Sequence, residues 1–286
     1  MNKDLEQYIW LNGEFITVPK DKMDVLSHEL CYGLGAFEEI RFYNKKAFNL
    51  DEHLELLFKS SKALLLNTSF SFQEIKNACI EIIKVNKVED GYIKPLIFLG
   101  NKDATIGAEN YINILIGCWS SIHPLSNSLS DKVPLKLSIS SAVKPPFNLL
   151  PYQVKASELN ILNKIAEKQA ITQGYDGSLI LDYRGYIADS TLGNFFIVKN
   201  KTIYTPIPEY CFEGITSKIV IEIAIKNNIE VKEKYITLED LADADEAFIT
   251  STISEISSIA SIGDYIFKNN SISEFIYSKF YQLTLT

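Results

Sequence analysis

The sequence has little of what a metal centre or a disulfide framework requires. Its 286 residues include three histidines, too few for a histidine-rich metal site: His28, His53 and His123. The four cysteines lie far apart among apolar neighbours, without the C-x-x-C spacing of metal and redox motifs: Cys31, Cys79, Cys118 and Cys211. We interpret the cysteines as core thiols in a reducing cytoplasm and predict no metal site.

Long apolar runs and an excess of basic residues are also missing. No run approaches the ~20 apolar residues of a membrane span, and the N-terminal stretch MNKDLEQYIW lacks the apolar region of a signal peptide. The net charge of -8 argues against a nucleic-acid partner, because phosphate binding favours a basic surface. G-x-S-x-G, P-loop, G-x-G-x-x-G and H-E-x-x-H motifs are absent. Composition and length therefore predict a globular cytoplasmic protein of one large or two ordinary domains.

Periodicity predicts a chain of mixed helices and strands in two domains. Asn12-Gly13, between two alternating apolar runs, indicates a hairpin at the start of a small domain over residues 1–119. Helices are predicted over 51–66 and, from a capping box at Ser71, to Asn86. The serine-rich stretch 120–132 is typical of a linker. A larger domain is predicted over 133–286, with a helix from about 157 to 173.

Two residues of the second half are candidates for covalent and acid–base chemistry. Lys155 lies between a proline-bounded strand and the predicted helix, where most lysines are simply solvated. Asp189, in GYIADS, ends a strand before a tight turn. A lysine and an acid are two of the groups that a pyridoxal phosphate enzyme needs, for the Schiff base and for the pyridine nitrogen.

A phosphate cradle is the third such group, and two later stretches could supply it. In FEGITSK, Gly214 precedes a predicted helix, so the amides of Ile215 and Thr216 are free to bind an anion. FITSTISEI ends a strand with three hydroxyl residues, the last of which is Thr252. Each feature alone has an ordinary structural explanation, but together with Lys155 and Asp189 they indicate pyridoxal phosphate chemistry.

The same motifs occur in the class IV, or fold type IV, pyridoxal phosphate aminotransferases. VLSHELCYGLGAFEEIRFY resembles the stretch written S-H-x-L-x-Y-G-x-x-x-F-E-G-I-R, and YIKPLIFLG is similar to Y-I-R-P-L-I-F of the branched-chain amino acid aminotransferases. Lys155, GYIADS, FEGIT and TSTISEI follow in the same order, so the resemblance covers nearly the whole chain. It implies an α+β, two-domain fold like that of D-amino acid aminotransferase, with a small α/β sandwich-like domain and a larger β-barrel-like domain with helices.

The resemblance also implies residue roles. Lys155 would form the Schiff base with pyridoxal 5'-phosphate and move the substrate proton, and Asp189 would keep the pyridine nitrogen protonated. Ile215, Thr216 and Thr252 would hold the phosphate. Five residues would lie on the substrate side: Tyr32, Phe37, Arg41, Tyr92 and Lys94. Family members are homodimers, so the resemblance implies a homodimer.

The chain departs from the family pattern at five positions. Asp189 replaces a glutamate and is one methylene shorter, and Lys94 replaces an arginine with a point charge. Glu39 replaces a glycine, and Asn160 replaces a tyrosine. Leu56 replaces the phosphate-binding arginine of H-x-x-R-L, which predicts weaker cofactor binding. We expect Lys59 or Lys218 to compensate if any cation does, with Lys218 the better candidate.

The predicted function is an aminotransferase. An L-amino acid, branched-chain or otherwise hydrophobic, would give its amino group to the cofactor, and a 2-oxo acid would then take it. Two alternatives keep the cofactor: a lyase like aminodeoxychorismate lyase, and a D-amino acid aminotransferase. A third is a degenerate binding protein without turnover. Fold alone cannot decide among them.

Overall fold

The computed structural model describes residues 7–17, 33–100, 111–121, 128–146, 153–157, 160–208 and 211–285. The chain divides into two compact units, described separately below. Unit 1 comprises Met1–Pro124 and Val154–Glu158, and unit 2 comprises Leu125–Gln153 and Leu159–Thr286. The short segment around Lys155 thus belongs to the N-terminal unit. No helix in the described ranges is long and apolar enough to cross a membrane.

Unit 1 is built on an antiparallel sheet of seven strands. The strand order is β2-β1-β7-β6-β4-β5, and β3 also pairs with β6. The strands are β1 Tyr8–Leu11, β2 Glu14–Thr17, β3 Gly35–Phe37, β4 Ile40–Tyr43, β5 Lys46–Ala47, β6 Gly91–Leu99 and β7 Ile112–Ser120.

Two helices cover one face of this sheet, α1 (Leu50–Ala63) and α2 (Phe72–Asn86). The predicted capping box begins α2, since the Ser71 side chain accepts from the Glu74 amide and the Glu74 carboxylate accepts from the Ser71 amide. In β6, buried residues alternate with half-buried ones, so the strand presents two different faces. The buried set packs with the helices into one core. The other set, Tyr92, Lys94 and Leu96, defines what we call the second face.

Unit 2 contains a nine-stranded mixed sheet. Its order is β10-β9-β8-β15-β14-β11-β12-β13, with β16 paired to β15, and the β8–β9, β8–β15 and β12–β13 pairs are parallel. A bridge between Ile187 and Ile236 joins the first strand of this order to the segment after the last, so the sheet curls back on itself. The strands are β8 Leu135–Lys144, β9 Gly177–Asp182, β10 Ile187–Ser190, β11 Asn194–Lys199, β12 Thr202–Pro206, β13 Val231–Lys234, β14 Glu246–Ser251, β15 Glu255–Ile262 and β16 Tyr265–Ile266.

The helices of unit 2 are α3 Ile161–Thr172, α4 Ile215–Lys226, α5 Glu239–Ala242 and α6 Ser271–Thr284. The end of the predicted linker 120–132 differs from expectation, because Leu129–Asp131 form a short 3-10 helix. Its backbone is held by Glu274 of α6, whose carboxylate accepts hydrogen bonds from the amides of Leu129 and Ser130. Ser120, where the predicted linker begins, is the last residue of β7.

Helix α3 begins four residues later than the predicted start at residue 157. The preceding segment pairs with the N-terminal strands instead: Phe37 N donates to Lys155 O at 3.1 Å, and Ser157 N donates to Gly35 O at 3.0 Å. These bonds hold residues 155–157 in an extended conformation that a helix could not adopt. The cysteine interpretation is confirmed where it can be examined, since Cys79, Cys118 and Cys211 are buried free thiols. Cys31 lies outside the described residues.

Candidate active site

The Lys155 side chain lies beside the second face of the unit 1 sheet. Its Nζ is 5.4 Å from the centre of the Phe37 ring, and Lys94 Nζ is 4.5 Å from the same ring. Phe37 is paired with Leu96 and Arg41 with Tyr92, and cross-strand partners point to the same face. Four of the five predicted substrate-side residues therefore share one surface with Lys155. Tyr32, the fifth, lies outside the described residues.

Lys155 is fixed at both its backbone and its amine. Its amide donates to Ser60 Oγ of α1 at 3.0 Å, and its Nζ donates to Glu38 Oε2 at 3.3 Å. The lysine side chain keeps 20% of its surface exposed, whereas that of Glu38 keeps 1%. The amine is thus held against a buried acid while remaining partly accessible.

Glu38 and His53 are functional candidates that sequence reasoning missed. Glu38 Oε2 is 2.8 Å from His53 Nδ1, and Glu38 Oε1 has no hydrogen-bond partner among the described residues. Burial disfavours the charged carboxylate, but Lys155 and His53 outweigh that effect and hold the Glu38 pKa below its ordinary value. The sequence analysis quoted Glu38 within F-E-E-I-R without assigning it a role, although the acid of that motif was the available signal. His53 makes the hydrogen bond expected of a histidine near a helix start.

The rest of the second face is aromatic. Tyr92 stacks on Trp119 of β7 with ring centres 5.4 Å apart, and the Trp119 ring lies where a side chain at Gly117 would otherwise project. Burial, followed by the charge of Glu39, raises the Tyr92 pKa. Arg41 is 4% exposed, and its Nη1 donates to Ser121 Oγ at 2.7 Å. This surface suits an apolar side chain.

In unit 2, Asp189 is a buried acid with a buried lysine beside it. Asp189 lies in β10, where a bulge shifts the register between Ile187 and Asp189. Its Oδ1 accepts from the Ser190 amide at 3.0 Å, and its Oδ2 is 3.4 Å from Lys144 Nζ. Burial raises the Asp189 pKa to about 6, although Lys144 works in the opposite direction. Lys144, which is 5% exposed, is a further residue to which sequence reasoning gave no role.

The start of α4 is shaped as an anion site. Gly214 is its N-cap, no side chain caps it, and the first turn carries no acidic residue. Asn194 holds this corner, since its Oδ1 accepts from the Gly214 amide and its Nδ2 donates to Phe212 O. A Cβ on Gly214 would come within 2.5 Å of Asn194 Oδ1, so this close approach requires glycine. The amides of Ile215 and Thr216 have no partner within the helix and carry the positive end of its dipole.

Hydroxyl groups accompany this helix start. Thr216 is buried in the first turn, and Thr250 of β14, paired with Asn194 of β11, has a buried Oγ1 with no hydrogen-bond partner among the described residues. Thr252 follows in the turn between β14 and β15, where Lys132 Nζ bonds the carbonyl oxygens of Ser254 and Ile256. Free amides, an unpaired buried hydroxyl and the absence of an acid in the first turn all fit a bound phosphate.

The positions of the departing residues are also defined. Leu56 is half-buried in α1, and Lys59, one turn later, is exposed. Lys218 is exposed as well and lies 3.8 Å from Glu213, so its charge already has a partner. Asn160 immediately precedes α3. Where the structure describes the chain, no cluster of three histidine, cysteine, aspartate or glutamate side chains could hold a metal ion.

Known proteins share both this sequence and this fold. The sequence model of the family described as "Amino-transferase class IV" matches residues 35–262. A "probable branched-chain-amino-acid aminotransferase" of Rickettsia bellii is 37% identical over 256 residues, covering 89% of this chain and 87% of that protein. The crystal structure of a branched-chain aminotransferase of Thermoproteus uzoniensis with norvaline matches with a TM-score of 0.89 at 28% identity, covering 98% of this chain and 95% of that one. A T.th. branched-chain amino acid aminotransferase with pyridoxamine 5'-phosphate also gives 0.89, at 29% identity and 98% and 94% coverage.

The fold and sequence together define a pyridoxal phosphate type of transferase scaffold, and the comparisons specify which one. The chain belongs to the class IV aminotransferases, with branched-chain aminotransferases among its relatives. The predicted α+β, two-domain fold class is confirmed by these structural matches. The enzyme class is confirmed as well.

Proposed function

We propose that the protein transfers the amino group of a hydrophobic L-amino acid, in particular a branched-chain one, to a 2-oxo acid, using pyridoxal 5'-phosphate attached to Lys155. The observation that carries this proposal is the Lys155 amine beside an aromatic sheet face and against the buried acid Glu38. Related structures containing pyridoxamine 5'-phosphate and norvaline support the cofactor and an uncharged side chain on the substrate.

The unit 1 residues would orient the amine and move the substrate proton. Pyridoxal phosphate, when bound, supplies an electron sink that lets the Cα–H bond of an amino acid break. Lys155 Nζ takes the Cα proton as a general base and later returns it. Glu38 accepts a hydrogen bond from Nζ and thereby fixes the direction of the amine, while His53 fixes Glu38. Phe37, Tyr92 and Trp119 offer an apolar surface to the substrate side chain.

The unit 2 residues would hold charge. Asp189 in its ionised form accepts a hydrogen bond from a protonated pyridine nitrogen, and Lys144 favours that ionised form. The amides of Ile215 and Thr216 and the hydroxyl of Thr252 donate to the phosphate. The unpaired Thr250 hydroxyl gives the same group one more donor.

The test of this proposal is a panel of amino acids mixed with purified holoenzyme, followed by the change from the lysine-bound to the pyridoxamine spectrum. Conversion by branched-chain L-amino acids and recovery with their 2-oxo acids is the expected result. Conversion by D-amino acids alone would indicate the D-specific enzyme, and pyruvate release from aminodeoxychorismate would indicate the lyase. Silence throughout would indicate a binding protein. Borohydride reduction and peptide mapping should label Lys155, whereas a label on Lys144 would overturn the lysine assignment.

We further propose a homodimer. Unit 2 leaves large apolar side chains in contact with water: Ile139 and Val143 on β8, and Ile161 and Ile165 on α3. Apolar surface of this kind is typical of subunit contacts. Light scattering at micromolar protein concentration should give twice the chain mass of 32.4 kDa, and the monomer mass would refute the proposal.

A further inference from the structure

An ion pair lies within the apolar surface that surrounds Lys155. Lys94 Nζ is 3.7 Å from Glu39 Oε1, and the two side chains are 39% and 32% exposed. The same Lys94 Nζ lies over the Phe37 ring, to which Lys155 Nζ is also close. Phe37 therefore separates this ion pair from the amine at which the reaction takes place. A substrate held at Lys155 would present its side chain to the same surface.

The pair decides what kind of side chain this surface accepts. A second carboxylate on the substrate needs a cation, and Lys94 is the partly exposed cation on the second face, since Arg41 is almost fully buried against Ser121. Glu39 already neutralises Lys94. An incoming carboxylate would have to displace Glu39 and would stand beside its negative charge, and like charges at such distances repel. The field of Glu39 extends over this surface, because it contributes, after burial, to the raised pKa of Tyr92.

We infer that Glu39 is a specificity-determining residue which, by pairing with Lys94, excludes amino acids and 2-oxo acids with an acidic side chain. The surface of Phe37, Tyr92 and Trp119 is then left to an uncharged side chain. This inference rests on the proposed function for the nature of the substrate, an amino acid attached at Lys155. It predicts that glutamate and 2-oxoglutarate are poor partners in both half-reactions.

Two unreactive acids test the inference without requiring turnover. 4-Methylpentanoate mimics an uncharged side chain, and glutarate adds a second carboxylate; binding of each to the holoenzyme is followed by calorimetry. The wild type should prefer 4-methylpentanoate. Glu39→Gln keeps the size of the side chain but frees Lys94, so glutarate should bind about ten- to a hundredfold more tightly, as expected for one new hydrogen bond to a charged group. Affinity for 4-methylpentanoate should stay within about threefold.

Two further variants assign the effect to the pair. Lys94→Met added to Glu39→Gln should abolish the glutarate gain, because it removes the freed cation. Glu89→Gln is the matched control: it breaks another exposed ion pair of unit 1, with Lys45 at 3.4 Å, and should alter neither affinity. In the half-reaction, Glu39→Gln should raise kcat/KM for glutamate relative to leucine by the same factor.

The outcomes separate this inference from the proposed function. Glutarate binding that is equal in wild type and Glu39→Gln, or a wild type that binds both acids equally, would overturn the role of Glu39. A glutarate gain in Glu39→Gln without reaction of any amino acid would leave that role standing and would overturn the aminotransferase proposal instead.

Discussion

Replacing Lys144 by methionine should make the stability of the protein depend more strongly on pH. Lys144 Nζ lies 3.4 Å from Asp189 Oδ2, and the side chains are 7% and 9% exposed. Burial raises the Asp189 pKa from its ordinary 3.8 to about 6, with Lys144 restraining the rise. An opposite charge at this distance lowers a carboxyl pKa by about 1 to 3 pH units. Without Lys144 we therefore expect the Asp189 pKa at about 7 or above.

The magnitude follows from linkage between protonation and folding. An acid whose pKa is higher in the folded than in the unfolded protein binds its proton more tightly when folded, so the fold loses stability as the pH rises through that interval. In the wild type this loss ends near pH 6. In Lys144→Met it continues to about pH 7 or above, at about 1.4 kcal/mol per pH unit. The substitution should therefore cost about 1.4 to 2 kcal/mol more at pH 7.5 than at pH 5.

Urea unfolding of cofactor-free protein at the two pH values measures this difference. The change in packing and the lost burial of an ammonium group are the same at both pH values and cancel from it. Asp189→Asn provides the control background, in which the cost of Lys144→Met should no longer depend on pH. An equal cost at pH 5 and pH 7.5 in the wild-type background would refute the reasoning, because the Asp189 charge would then not depend on Lys144.

Two further predictions concern residues around Lys155 and the phosphate. Glu38→Gln should lower kcat about a hundredfold with KM nearly unchanged, because the Lys155 amine loses the acid that orients it; Glu52→Gln on the same unit should not, and a full rate in Glu38→Gln would contradict this role. Leu56→Arg should tighten pyridoxal phosphate about ten- to a hundredfold, measured as slower cofactor loss on dialysis, since it adds a charged donor. Lys218→Ala should leave retention unchanged because that lysine is paired with Glu213, and cofactor loss in this variant would instead identify Lys218 as the substitute cation.

Elements defined by local chemistry could be predicted from the sequence. The capping box gave the start of α2 correctly, and Asn12-Gly13 gave the β1–β2 hairpin, where both residues have positive φ. Elements decided by distant partners could not be predicted. Helix α3 starts late because the preceding segment is bonded to β3, more than a hundred residues away in sequence. Leu65, predicted on the buried face of α1, is 81% exposed because the helix ends at Ala63 and Leu65 itself has a positive φ.

The same distinction applies to the candidate site. Lys155 and Asp189 could be proposed from short motifs, because each has a recognisable neighbourhood in the sequence. Their partners have none: Glu38 is 117 residues from Lys155, and Lys144 is 45 residues from Asp189. A buried charge is tolerated only with such a partner, so the need for one was predictable although its identity was not.

The two buried acids differ in a way that matches their proposed roles. Glu38 has two cationic or hydrogen-bonding partners, Lys155 and His53, and its pKa is lowered despite burial, so it is charged throughout the neutral range. Asp189 has Lys144 and one backbone amide, and its pKa is raised to about 6, so its charge near neutral pH is only narrowly favoured. A protonated ring nitrogen bound at Asp189 would add a second cationic partner and would lower that pKa. Cofactor binding and the ionisation of Asp189 are then linked, and each should strengthen the other as the pH rises through 6.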